Sequence, residues 1–194
     1  TNNTQSNEVI ELNNKIKLTQ CYIKKMILNT EKLNALRSRL LNSTDGQNEI
    51  DNIIEDSNVN QTKAKLIIDD IDRNIKDINE MNNPVEQRIF NNLYAALIKY
   101  FQNAAMDSSS VQFEIKKIKQ NLIVRDAEII LSRKLDNYEV SEVLNEPQML
   151  KSILANQLQG KAAPTKMVNA FNDIEERSND LTRLEKVSIP NVEY

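Results

Sequence analysis

The chain has no histidine, no tryptophan, one cysteine, two glycines and four prolines in 194 residues. Without histidine the commonest general base and metal ligand is gone. Proton transfer would fall to carboxylates or lysines, and no two of these stand out as a matched acid and base. Phosphate-cradling loops need glycines free to take unusual backbone angles. Gly46 and Gly160 are the two available, and neither sits in a phosphate-loop pattern. The composition therefore points away from an enzyme, and no metal or cofactor is expected. Cys21 has no partner for an internal disulfide and reads as a small packed side chain in a reducing compartment. Charge of one sign is lacking too: a net charge of −3 with acids and bases interspersed leaves no footprint for nucleic acid or an anionic membrane. No apolar run approaches the roughly 20 residues of a membrane span. The polar start Thr1-Asn2-Asn3-Thr4-Gln5 is not a signal peptide. The chain reads as soluble, or as a soluble piece of something larger.

What is present is long helical periodicity. Leu97, Phe101, Ala104, Ser108, Val111, Ile115, Ile118, Leu122 and Ile129 step by four and three, with Arg125 in one slot. A 4/3 step puts every member on one seam of a single helix. The seam stays in phase across the loop-like Asp107-Ser108-Ser109-Ser110, so one helix is expected from about Pro84 to about Lys134. Its first half carries Phe90, Tyr94, Tyr100 and Phe101, which read as core rather than as a cofactor box. Upstream, Val9, Leu12, Ile16, Ile23, Met26, Leu33 and Leu40 keep the same register with Thr19, Thr30 and Arg37 in the intervening slots. Ile10, Tyr22, Ile27, Leu36 and Leu41 widen that stripe, which suits a helix touching two neighbours. A second stripe runs through Ile50, Ile53, Ala64, Ile67, Ile71, Ile78 and Met81, with Ser57, Asn60 and Asn74 in seam slots and Ile54, Ile68 and Ile75 alongside. Polar residues in such slots fix register or lie near solvent.

The turn residues Asn42-Ser43-Thr44-Asp45-Gly46 and the break Asn82-Asn83-Pro84 leave only short connections. Three long helices, about 6–43, 47–81 and 84–135, are expected in an antiparallel up-down-up bundle over residues 1–137. A linker follows over 138–164. It contains a short amphipathic piece broken at Pro147 and a short helix carrying Met149, Leu150, Ile153, Leu154 and Leu158. Residues 165–194 carry a last stripe, Phe171, Ile174, Leu181 and Leu184 with Ser178 between. Isolated helices of that length are marginal in water, so this stripe needs something to pack on.

The order of these parts resembles the cytoplasmic region of syntaxins, the Qa-type target-membrane SNARE proteins. Two stretches carry the likeness. Asn172-Asp173-Ile174-Glu175-Glu176-Arg177-Ser178-Asn179-Asp180-Leu181-Thr182-Arg183-Leu184-Glu185-Lys186 is similar to the opening of a syntaxin SNARE motif, and Phe113 to Ile130 is similar to the end of the third helix of the family's N-terminal Habc bundle. The resemblance implies an all-α chain: a Habc-like bundle, a helical linker and the start of a SNARE helix. It also implies a role in vesicle docking and membrane fusion, with the bundle regulating the SNARE helix by folding back on it. Phe171, Ile174, Leu181 and Leu184 would be the partner-facing residues. The implied partners are other SNARE proteins and an SM-family regulator. The chain itself is expected to be monomeric, and membrane association would come only through an anchor absent from this sequence. The full-length protein would sit on the cytoplasmic face of a target membrane.

Departures from the family pattern are visible. The layer after Leu184 falls on Ser188, Pro190 interrupts the helix, no residue matches the central glutamine layer, and the chain stops at Tyr194. The segment is expected to be either a cut-down fragment or a divergent relative. Val140-Ser141 stands where some syntaxins have the Leu-Glu pair that helps hold them closed. Two rival readings share the long helices. A BAR-type membrane-shaping dimer would need basic residues gathered on one face, which the acidic balance opposes. A plain helical scaffold needs no further feature.

Overall fold

The computed structural model describes the backbone of residues 2–40, 46–80, 84–162 and 164–187, with side chains in those ranges except 2–6, 78–80 and 183–187. Among the described residues every regular element is helical: α1 Asn2–Leu40, α2 Gln47–Glu80, α3 Pro84–Leu131, α4 Asn137–Asn145, α5 Met149–Leu158 and α6 Thr165–Val187. None of these helices is long and apolar enough to cross a membrane. Leu41, the turn residues Asn42 to Asp45, Met81, Asn82, Asn83 and everything from Ser188 to Tyr194 lie outside the described residues, as do the side chains of Ile78 and Leu184. Close contacts divide the chain into two compact units, Thr1–Gln112 and Phe113–Tyr194, with α3 contributing to both.

In the first unit α1 and α2 make the most extensive backbone approach of any two helices. Lys15 Nζ reaches Asp70 Oδ2 at 2.7 Å and Asn74 Oδ1 at 2.9 Å, while Asn29 Nδ2 donates to Asp56 Oδ2 at 2.7 Å. Partner numbers fall along α2 as they rise along α1, so the pair is antiparallel. The core joins Leu12, Ile16, Ile23 and Met26 to Ala64, Ile68, Ile71 and Ile75, and to Phe90, Leu97, Phe101 and Ala104 of α3. Tyr94 and Tyr100 pack against it half-buried. The seam slots Thr19 and Thr30 are buried as well, and their hydroxyls donate back to the carbonyls of Lys15 and Met26. Two expectations for α1 need correction. Cys21 is exposed rather than packed, because position 21 falls between the buried seam positions Thr19 and Ile23. Ile10 is also exposed and does not widen the stripe.

Past this apolar core lies a buried polar layer. Ser57 and Ser108 place their hydroxyl oxygens 3.1 Å apart with both side chains sealed from solvent. Gln112 Nε2 donates to Ser108 Oγ and to Asn58 Oδ1, each at 3.1 Å. Asn60 Nδ2 donates to the backbone carbonyl of Asp56 at 2.7 Å and to its carboxylate at 3.0 Å. Asn58 Nδ2 is buried without a partner among the described residues. α3 runs unbroken through Asp107-Ser108-Ser109-Ser110, since the seam residue Ser108 is inside and its neighbours Asp107 and Ser109 face solvent.

In the second unit the buried positions of α3 are Ile115, Lys119, Ile123, Ala127 and Leu131, in steps of four. The 4/3 seam predicted through Leu122 and Ile129 fails here: Ile129 is 66% exposed, whereas Ile123 is 1% exposed. Each four-residue step advances about 40° round a helix of 3.6 residues per turn, so a different stripe of α3 meets its neighbours. Arg125, the charge in the expected seam, is thereby on the exposed side.

α3 ends in a Schellman motif. Arg133 N donates to Glu128 O and Ser132 N to Ile129 O, both at 3.2 Å, with Ser132 left-handed at φ 53°. A capping box then starts α4: Asp136 Oδ1 accepts from Glu139 N at 2.8 Å, and Glu139 Oε2 accepts from Asp136 N at 3.1 Å. Arg133 grips the same Glu139 with two nitrogens, at 2.8 and 2.6 Å. That contact fixes the entry of α4 relative to the end of α3.

Candidate functional site

The candidate site is the apolar stripe of α6. Its helix follows Pro164, whose carbonyl accepts from the backbone N–H of Met167 at 2.9 Å and of Val168 at 3.2 Å. From there the periodicity sets Phe171, Ile174, Ser178 and Leu181 on one face, and all four are buried. Phe171, Ile174 and Leu181 join a single core with Ile123, Ala127 and Leu131 of α3, Val143 of α4, and Leu150 and Leu154 of α5. The structure thus brings together three of the four residues singled out from the sequence. The fourth, Leu184, lies on α6 with its side chain outside the described residues.

Polar contacts fasten this core at its margins. Arg177 Nη1 donates to Asp126 Oδ2 at 2.5 Å, joining α6 to α3. Lys151 Nζ donates to Glu175 Oε2 at 3.0 Å, joining α6 to α5. Gln157 Nε2 donates to the carbonyl of Leu131 at 2.8 Å, so α5 satisfies one of the free carbonyls at the end of α3. Glu139 is held well below the usual carboxylate range, at about 2, first by the Arg133 guanidinium and then by the Asp136 backbone N–H. Lys134 and the Leu135 backbone N–H likewise lower the Glu128 carboxyl.

The interhelical ion pairs were not legible in the chain, because charges 51 or 24 residues apart carry no local signal. A signal did exist for the floor of the site: Ile123, Ala127 and Leu131 recur at four-residue spacing. The arrangement is an apolar core with polar contacts at its margins. Among the described residues no group of three carboxylates or cysteines could hold a metal ion. What it offers is a helix face already covered by the chain's own helices, which any outside partner must displace. No protein-family model matches the chain, and no curated protein matches it.

Proposed function

We propose that the chain is a syntaxin-like SNARE cytoplasmic region acting in vesicle docking and membrane fusion, without enzymatic activity. The observation that carries the reading is that Phe171, Ile174 and Leu181, in the stretch resembling the start of a SNARE motif, are buried against α3, α4 and α5. One apolar face then has two competing occupants, the chain's own helices and partner SNARE helices, and the balance between them is the switch.

The finer architecture belongs to the same proposal. Over residues 1–137, α1, α2 and α3 form an up-down-up, Habc-like bundle, 138–164 is a linker, and 165–194 opens the SNARE helix. The antiparallel α1–α2 pairing supports this, as does Ser57 lying beside Ser108 although only residues 81–83 separate α2 from α3. The full-length protein would act at the cytoplasmic face of a target membrane, with SNARE proteins and an SM-family regulator as partners.

The test is gel filtration of the purified chain with each SM-family protein of the same cell, alongside flotation with anionic vesicles. The reading predicts a monomer that forms a stoichiometric complex with one SM protein and ignores vesicles. A dimer that binds vesicles in a salt-dependent way and no SM protein would make the chain a BAR-type scaffold instead.

A further inference from the structure

The two ion pairs that flank the α6 stripe differ in character. Arg177 and Asp126 are each about three-quarters buried, whereas Lys151 is 53% exposed. Asp126 is also held twice. Its Oδ2 accepts from Arg177, and its Oδ1 accepts from Nε and Nη2 of Arg125 at 3.4 and 3.3 Å. Arg125 belongs to α3 itself, so it stays with Asp126 whatever α6 does.

The apolar stripe sets the register of α6 only in part. A slide of one heptad brings Leu181 to the place of Ile174, apolar for apolar, and Ser178 to the place of Phe171. The same slide carries Arg177 about 10 Å along α3 and away from Asp126. A partly buried cation would then lose its carboxylate, a cost that adds to the mismatch at Phe171. Opening is less costly for Asp126 than for most such carboxylates, because Arg125 still neutralises it. The pair therefore discriminates strongly between registers while leaving a compensated surface behind when α6 departs.

We propose that Asp126 and Arg177 form the latch that sets the register of α6 on α3 and keeps its apolar face shut, with Arg125 as the standing counter-ion of the open state. That this shut state is autoinhibitory rests on the SNARE reading; the latch itself is a property of the chain alone. Arg177 and Asp126 are positioning residues, and Lys151–Glu175 is an accessory contact of the kind that contributes little at exposed sites.

The experiment is amide hydrogen exchange of the full 194-residue chain, in wild type, Arg177→Glu, Lys151→Glu and the charge swap Asp126→Arg with Arg177→Glu. Arg177→Glu is expected to speed exchange over 165–182 by roughly ten- to a hundredfold, the scale of a lost charge-assisted hydrogen bond. Amides of α1 and α2 are expected to stay unchanged, which shows that the variant is folded. Lys151→Glu is expected to change α6 less than threefold, and the swap is expected to recover most of its protection. Wild-type exchange in Arg177→Glu, or a loosened α6 that the swap does not restore, overturns the latch. Neither result depends on SNARE or SM binding, so a failed partner assay counts against the functional reading and not against the latch.

Discussion

Ser57 and Ser108 stand 51 residues apart in the chain, yet their hydroxyl oxygens lie 3.1 Å from each other inside the first unit. Each is a polar residue in a mostly apolar seam. Together with Gln112 and Asn58 they make a layer whose interhelical hydrogen bonds form only when α2 and α3 are in register. Ser57→Ala leaves the Ser108 hydroxyl short of a partner and is expected to cost about 1–2 kcal/mol in urea unfolding. Ser108→Ala should cost a similar amount. The double variant should be less destabilised than the sum by about 0.5–1 kcal/mol, the coupling expected of residues in contact. Strict additivity would mean that the pair is not formed.

The two stripes of the second half of α3 make opposite predictions. Ile123→Asp puts an uncompensated charge into the core shared with α4–α6 and is expected to cost several kcal/mol, about 4 or more. Ile129→Asp lies on the exposed side and is expected to fall within about 0.5 kcal/mol of wild type. Thermal unfolding of both variants decides between the stripes. If Ile129→Asp proved the more damaging, the 4/3 register would extend through residue 129 after all.

The all-helical class and the stripes of the long helices are legible in the sequence, and the limits of that reading have a physical cause. In α1 the stripe Leu12, Ile16, Ile23, Met26 and Leu33 is buried where the register puts it, and the polar slots Ser57 and Asn60 of α2 are inside as members of that register. Beyond Ile115 two apolar patterns coexist, Leu122 with Ile129 and Ile123 with Ala127 and Leu131. Periodicity cannot choose between them, because the choice depends on what lies opposite, and α4–α6 supply that. At the candidate site, Phe171, Ile174 and Leu181 were legible as one face of a helix. The residues that cover the face, and the Asp126–Arg177 contact beside it, follow only from three-dimensional packing.

Acid should loosen the start of α4. The Glu139 carboxyl titrates at about 2 in the folded chain, against an ordinary value of 4.5. The unfolded chain therefore binds the proton first as pH falls, and the stabilisation from this carboxylate is complete above about 4.5 and lost as pH drops toward 2. A carboxyl titration followed by NMR should show this low value in wild type and a return toward the ordinary range in Arg133→Gln. An unperturbed Glu139 in wild type would contradict the grip seen between the two side chains.

The left-handed Ser132 at the end of α3 offers a stabilising change. A serine at φ 53° carries a side-chain strain that glycine avoids. Ser132→Gly is expected to raise stability by about 0.5–1 kcal/mol, read as a higher midpoint in urea with an unchanged slope. A lower midpoint would show that the Schellman turn does not have this geometry in solution.

The chain's own helices occupy the apolar face of α6. Hydrogen exchange is the decisive measurement, across residues 165–187 on the whole chain and across 123–131 on the whole chain and on one ended at Pro164. Slow exchange is expected in α6, with faster exchange at 123–131 once α6 is removed, because Ile123, Ala127 and Leu131 lose their cover. Free exchange throughout α6, with 123–131 indifferent to its loss, would mean that the face is open and that nothing in this chain controls access to it.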